Sequence, residues 1–333
     1  MLYSRRALGK IAVATLPAIR ALAAINSSID SRINGVRIGA ITYSFRSTPD
    51  LEDVIKAMVQ IGLGEAELMA DQAETYAGAP RPQRRPGGGP PGGPPQGGGR
   101  PQMTPEQREA FQTAMRARAE EIRKWRLSAP MGKFKEVRKK FDDAGIDLAL
   151  LCFGMNESST DDEIEYGFQM AKTLGVRAIT TSTQVTVSKR IAPFAEKHKM
   201  MVGFHGHDNT SNPNEFSTPE TFATAMSYSK YHGVNLDIGH FTSANHDPVA
   251  YIKANHGRIT NLHVKDRKKD RGANTPFGEG DTPIKEVLRL MAKEKYPFPA
   301  NIEFEYRVPE GSDVVTEVGK CMKYCNDALA TPG

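Results

Sequence analysis

Four short apolar runs, each closing on imidazoles or carboxylates, constrain the fold of this 333-residue chain more than any other feature. They end in Phe204-His205-Gly206-His207-Asp208, Leu236-Asp237-Ile238-Gly239-His240, Leu262-His263-Val264-Lys265-Asp266 and Ile302-Glu303-Phe304-Glu305. Runs of this length, rich in β-branched residues and bounded by turn formers, read as buried strands. Segments with helical spacing separate them, which makes the sheet parallel. The same alternation extends upstream, with strands expected over 36–45, 64–69, 146–154 and 176–183. Eight strands alternating with helices are the count of a (β/α)8 TIM barrel, an α/β fold whose site lies at the strand C-terminal ends. Every polar cluster falls at that end. Side chains at i and i+2 share a strand face. His205 and His207 therefore point the same way, as do Glu303 and Glu305.

One barrel domain is expected over 36–330, with two segments of different composition. Residues 1–23 carry the pair Arg5-Arg6, an apolar stretch, and the small-residue site Ala21-Leu22-Ala23. This resembles a bacterial twin-arginine signal peptide, which implies the Tat export machinery and a periplasmic or exported protein. The stretch is too short for a stable membrane anchor. Residues 78–101 are almost wholly Gly, Pro, Arg and Gln. With so little apolar surface to offset ordering entropy, they are expected to be a disordered insertion after the second strand. The net charge of +5 resides in these two segments, which hold eight basic residues and no acid. The remainder is mildly acidic, which gives no electrostatic footprint for nucleic acid. Cys152, Cys321 and Cys325 form no framework of pairs and read as buried thiols.

Imidazoles and carboxylates gathered at one end of a barrel suit a divalent ion with open positions, with Mn²⁺, Co²⁺, Zn²⁺ and Fe²⁺ all compatible. Gly239, between Asp237 and His240, permits close approach of a backbone or ligand. An ion chelating a carbonyl and a neighbouring hydroxyl acidifies the adjacent C–H. A base then gives a metal-stabilised enediolate, and His205, His240 and Glu305 are candidates for acid and base. Lys265 is a candidate to hold an oxyanion, or else an ion pair with Asp266 or Glu303. Glu67, an acid in a buried run, reads equally as a substrate contact or a paired charge. Tyr43, at the end of the first strand, is a second candidate substrate contact.

His205-Gly206-His207, Asp237-Ile238-Gly239-His240, Leu262-His263-Val264-Lys265-Asp266, Phe277-Gly278-Glu279-Gly280 and Ile302-Glu303 resemble the sugar phosphate isomerase/epimerase family of xylose isomerase-like TIM barrels. The resemblance covers about 37–306, without the Pro/Gly insertion. It implies a divalent metal and a sugar or keto-sugar ligand that is isomerised, epimerised, dehydrated or hydrated. It also implies metal ligation by Asp237, His263 and Glu303. The family's middle-strand Glu is missing, because the fourth strand ends Thr180-Thr181-Ser182-Thr183. His205 or His207 takes that place, and His207 is preferred as the one nearer the open end. Loss of that Glu counts against simple epimerisation and brings in a keto-sugar lyase or hydratase as an alternative.

Two further classes stay open. An endonuclease IV-like phosphodiesterase would need further His ligands, and the first and third strands end in Tyr43-Ser44-Phe45 and Phe153-Gly154-Met155. A non-catalytic sugar-binding barrel would keep the metal site without turnover. Substrate, metal identity and self-association into a homo-oligomer are not specified by any residue pattern here.

Overall fold

The structure is a computed structural model, and it describes residues 28–48, 50–80 and 104–330. The twin-arginine segment and most of the Pro/Gly tract lie outside the described residues.

Eight parallel strands close on themselves: β1 (Val36–Ile41), β2 (Glu65–Met69), β3 (Asp147–Cys152), β4 (Ala178–Thr181), β5 (Met201–His205), β6 (His232–Asp237), β7 (Ile259–Val264) and β8 (Ala300–Ile302). Each pairs with its sequence neighbour, and β8 pairs with β1 to complete the TIM barrel. The short strand Arg32–Ile33 adds an antiparallel flap on β1. Outward-facing residues such as Ile38, Leu68, Leu151, Ile179, Val202, Val234, Leu262 and Ile302 pack into the core shared with the surrounding helices.

Local sequence signals place the helices. Helix α1 (Leu51–Ile61) stops at Gly62, whose φ of 85° is available to glycine without a Cβ penalty. Helix α2 (Ala70–Tyr76) follows β2 directly. Helix α3 (Pro105–Leu127) opens with a capping box between Thr104 and Gln107. It buries none of its residues. Arg126 joins it to the barrel by bonding Glu74 at 2.8 Å and Glu163 at 3.1 Å. Arg123 bonds Glu163 at 3.0 Å. Helices α4 (Met131–Asp143), α5 (Asp161–Leu174), α6 (Val185–His198) and α7 (Pro219–Tyr228) cover the middle strands. Helices α8 (Ile238–Ser243), α9 (Pro248–Asn255), α10 (Ile284–Glu294) and α11 (Val314–Ala330) complete the ring. None of the described helices is long and apolar enough to cross a membrane.

The first strand is shorter than its apolar run. It ends at Ile41, and Thr42–Phe45 form a 3-10 turn. Hydroxyls cause the change. Thr42 Oγ1 accepts from the Met69 amide at 2.9 Å, while Ser44 Oγ donates to Ile302 O at 3.0 Å and accepts from the Phe304 amide at 2.9 Å. These bonds replace ladder partners and turn Tyr43 onto the rim. After β7, the hairpin Asp266–Arg267/Asn274–Thr275 rises over the barrel mouth.

Candidate metal centre

Strand register builds the site. Asp237 is paired with His263 across β6 and β7, and His263 with Asn301 across β7 and β8. Two-residue alternation then turns Asn235 and Asp237, Asn261 and His263, and Asn301 and Glu303 into the barrel. His205 pairs with Asn235 and joins them from β5. Ligand-type atoms of His205, Asp237, His263 and Glu303 lie within 4.8 Å of one another, and all four residues are buried.

His205, and not the His207 preferred from sequence, is the imidazole of this set. β5 ends at His205, and beyond it the chain turns so that the His207 amide donates to Phe216 O at 2.7 Å. His207 therefore stands one step above the ligand level, with its Nε2 3.3 Å from Ser182 Oγ. The candidate acid/base role of His205 gives way to a place in the cluster, since its ring is surrounded by the other site groups.

Glu67 does not face substrate space; it is a fully buried acceptor below the cluster. Thr180, Asn261 and Asn301 donate to it at 2.5, 2.8 and 3.2 Å, with Asn235 at 3.5 Å. His263 Nε2 is 2.7 Å from its Oε2. A nitrogen that donates to Glu67 leaves Nδ1 on the cluster side, where it meets Glu303 at 3.1 Å. The carboxylate thereby orients the imidazole, a common arrangement around metal-ligating histidines.

Lys265 is not free to hold an oxyanion as it stands. Its buried ammonium lies 3.0 Å from Asp237, 2.8 Å from Glu303 and 2.7 Å from Glu305. Asp266 takes no part in this ion pairing; it accepts from the amides of Gly278, Gly280 and Thr282 at 2.7, 3.1 and 3.2 Å and so pins the loop after the hairpin. Gly239 is required where Lys265 crosses α8, because an added Cβ would lie 2.8 Å from Lys265 O.

The protonation pattern follows from burial and charge. Burial opposes a charged His263, yet Glu67 and then Glu303 outweigh it and hold its pKa well above the ordinary range. Burial likewise opposes an ionised Glu303, but Lys265 and His263 keep its carboxyl well below the usual range. Asp237 is pushed up to about 7 by burial, against the pull of Lys265. Burial drives His205, His207 and His240 down. Tyr43, at the rim, is raised to about 12 by burial and then by Glu305.

Two buried atoms point to a missing partner. His205 Nδ1 has no hydrogen bond, and Asp237 Oδ2 has none beyond its approach to the Lys265 ammonium. Buried polar atoms are nearly always satisfied. Two carboxylates and two imidazoles form a donor set that could hold a divalent cation once His263 gives up the proton it holds toward Glu303. Glu305, half-buried at the rim, adjoins this set through Lys265. His240 lies beside it, its ring centroid 6.0 Å from that of His205.

Sequence reasoning missed Arg267. It lies in the first strand of the hairpin and is buried, with Nη1 2.5 Å from His240 Nδ1 and 2.8 Å from Asp208. Its only sequence signal was a third charged residue following Lys265-Asp266.

Comparisons with known proteins agree with this architecture. Over 97 residues, 29% of this chain, it is 30% identical to the L-ribulose-5-phosphate 3-epimerase UlaE of Escherichia coli. The match spans 34% of that protein, so the chain covers about a third of the length of the curated relatives it matches. The structure of the probable 3-DHS dehydratase AsbF from Bacillus anthracis superposes with a TM-score of 0.57 at 14% identity, covering 89% of this chain and 100% of that one. The IOLI protein with a binding zinc atom superposes with a TM-score of 0.57 at 12% identity, covering 88% and 98%. At these identities the superpositions show a shared fold. A family model matches residues 100–325, and the chain belongs to the xylose isomerase-like TIM barrel family.

Proposed function

We propose that this protein is a divalent-metal-dependent isomerase or epimerase of a sugar or keto-sugar. The observation that carries the reading is the set His205, Asp237, His263 and Glu303, converging from four successive strands with His205 Nδ1 and Asp237 Oδ2 left without a hydrogen bond. A divalent cation in that set would polarise a carbonyl as a Lewis acid. Glu305, at the rim, is the carboxylate placed to remove the proton next to that carbonyl. Lys265 compensates the charge gathered on Asp237, Glu303 and Glu305, and Glu67 holds His263 in position. Tyr43 lines the same rim and would contact substrate through its ring and hydroxyl. The epimerase activity of the UlaE relative supports this choice. Elimination is the second reading. It is favoured by the end of the fourth strand, Thr180-Thr181-Ser182-Thr183, where the resemblance leads one to expect a carboxylate and His205 from the next strand takes its place.

The test is NMR in D₂O with a panel of keto-sugars and protein loaded with Mn²⁺ or Co²⁺. Proton abstraction should exchange a C–H next to the carbonyl even where net conversion is slow, and chelator should abolish the exchange. Turnover without solvent deuterium, or full activity in metal-free protein, would overturn the reading. Exchange accompanied by loss of a β-substituent would select elimination. We further propose export through the twin-arginine pathway. If Arg5→Lys with Arg6→Lys leaves periplasmic amounts unchanged, that proposal is wrong.

A further inference from the structure

We propose that Arg267 locks His240 in the Nε2–H tautomer, making His240 a neutral hydrogen-bond donor to a ligand oxygen, and neither a metal ligand nor the base. A guanidinium has donors only and does not lose its proton in proteins. At 2.5 Å from Arg267 Nη1, His240 Nδ1 must therefore be an acceptor. A neutral imidazole that accepts at Nδ1 carries its proton on Nε2. Its one lone pair is then used, so no nitrogen remains for a cation or for removing a proton.

The lock is built from both sides. Asp208 holds Arg267 Nη1 at 2.8 Å and is itself fixed by Ser243 Oγ at 3.1 Å. Gly272 O accepts from Arg267 Nε at 3.2 Å and Nη2 at 2.7 Å. The His240 backbone is set independently, because its amide donates to Asp237 Oδ1 at 2.7 Å. Arg267 is 8% exposed, so water does not compete for the contact. The opposite edge of the ring, with Nε2, faces away from Arg267. The rings of His205 and His207 flank this imidazole, with centroids at 6.0 and 5.4 Å. A ligand oxygen gaining negative charge there would meet an N–H; no bond to His240 is made or broken. Arg267 acts through His240 and is a positioning residue.

The ligand role assigned to Nε2–H rests on the proposed function; the tautomer does not. The test uses full-length Zn²⁺-loaded protein labelled with ¹⁵N-histidine. Long-range ¹H–¹⁵N correlation, with His240 assigned by loss of its signals in His240→Gln, should show one neutral tautomer with Nδ1 unprotonated. An Nδ1–H tautomer, an imidazolium or a zinc-bound Nε2 would overturn the lock. In Arg267→Met the single-tautomer signature should be lost with zinc content unchanged, and Arg267→Lys, which keeps a donor, should restore it. Should Arg267→Met not fold, Asp208→Asn weakens the same contact, and the parent spectrum alone already decides. On a keto-sugar that the parent turns over, Arg267→Met should lower kcat about 10²-fold with KM little changed, the scale of a lost acid–base or donor group. Unchanged kcat with the signature lost would overturn the role given to His240. The expected signature with no keto-sugar turned over would support the lock and count against the proposed function alone.

Discussion

Glu67 and Asp237 are buried carboxylates inside one barrel, and the fold treats them oppositely. Glu67 receives side-chain donors from five residues on strands β4, β6, β7 and β8. Asp237 receives one backbone amide, and its second oxygen faces a lysine without a hydrogen bond. A charge buried for architecture is surrounded until every lone pair is used, because each unmet one carries a desolvation penalty. A charge buried for binding keeps lone pairs open and accepts that penalty. The boundary between scaffold and site therefore runs between two layers of the barrel only one strand step apart.

The sharpest way to break this comparison is unfolding of metal-free protein by denaturant. Glu67→Ala should cost about 3–5 kcal/mol, because it strands several buried donors at once. Asp237→Ala should change stability by less than about 1 kcal/mol, since Lys265 keeps Glu303 and Glu305. Equal losses would erase the distinction. In Co²⁺ titrations the order should reverse. Asp237→Asn should weaken binding by about 100-fold or more, whereas Glu67→Gln, which only loosens His263, should cost nearer 10-fold. A Glu67→Gln variant with parental affinity would remove its orienting role.

A further test concerns Glu65, two residues before Glu67 on the same face of β2. Burial pushes its carboxyl up to about 8, against Arg37 and Arg177 at 3.7 and 3.8 Å. A folded-state pKa above the unfolded value gives stability that is present below the unfolded value of 4.5 and lost as pH rises toward 8. Glu65→Gln should therefore flatten the stability profile between pH 4.5 and 8, gaining on the parent toward the alkaline end. A parental profile would show that the two arginines satisfy the ionised form.

Much of this was legible in the sequence. Apolar runs bounded by turn residues and separated by helical spacing exposed all eight barrel strands, and the polar ends at Asp237, His263 and Glu303 stood in register. The choice between His205 and His207 was not legible. Both share a face, and only the point where β5 leaves the sheet decides which one meets the others. Glu67 was ambiguous for a related reason: its donors Thr180, Asn261 and Asn301 are 113, 194 and 234 residues away along the chain. The role of Arg267 depends on a hairpin that brings it against Asp208 and His240, and no local pattern encodes that contact.

The arginine attachment of α3 has a consequence for how the molecule comes apart. Trp125 lies edge-on to Tyr166 at 6.5 Å, and Arg123 and Arg126 of α3 grip the barrel through Glu74 and Glu163. An element held by a latch rather than by a buried stripe can detach as a unit while the closed sheet persists. Such an outrigger offers proteases a cleavable helix without exposing the core. It also lets natural variation remodel that flank of the mouth independently of the cluster at its centre.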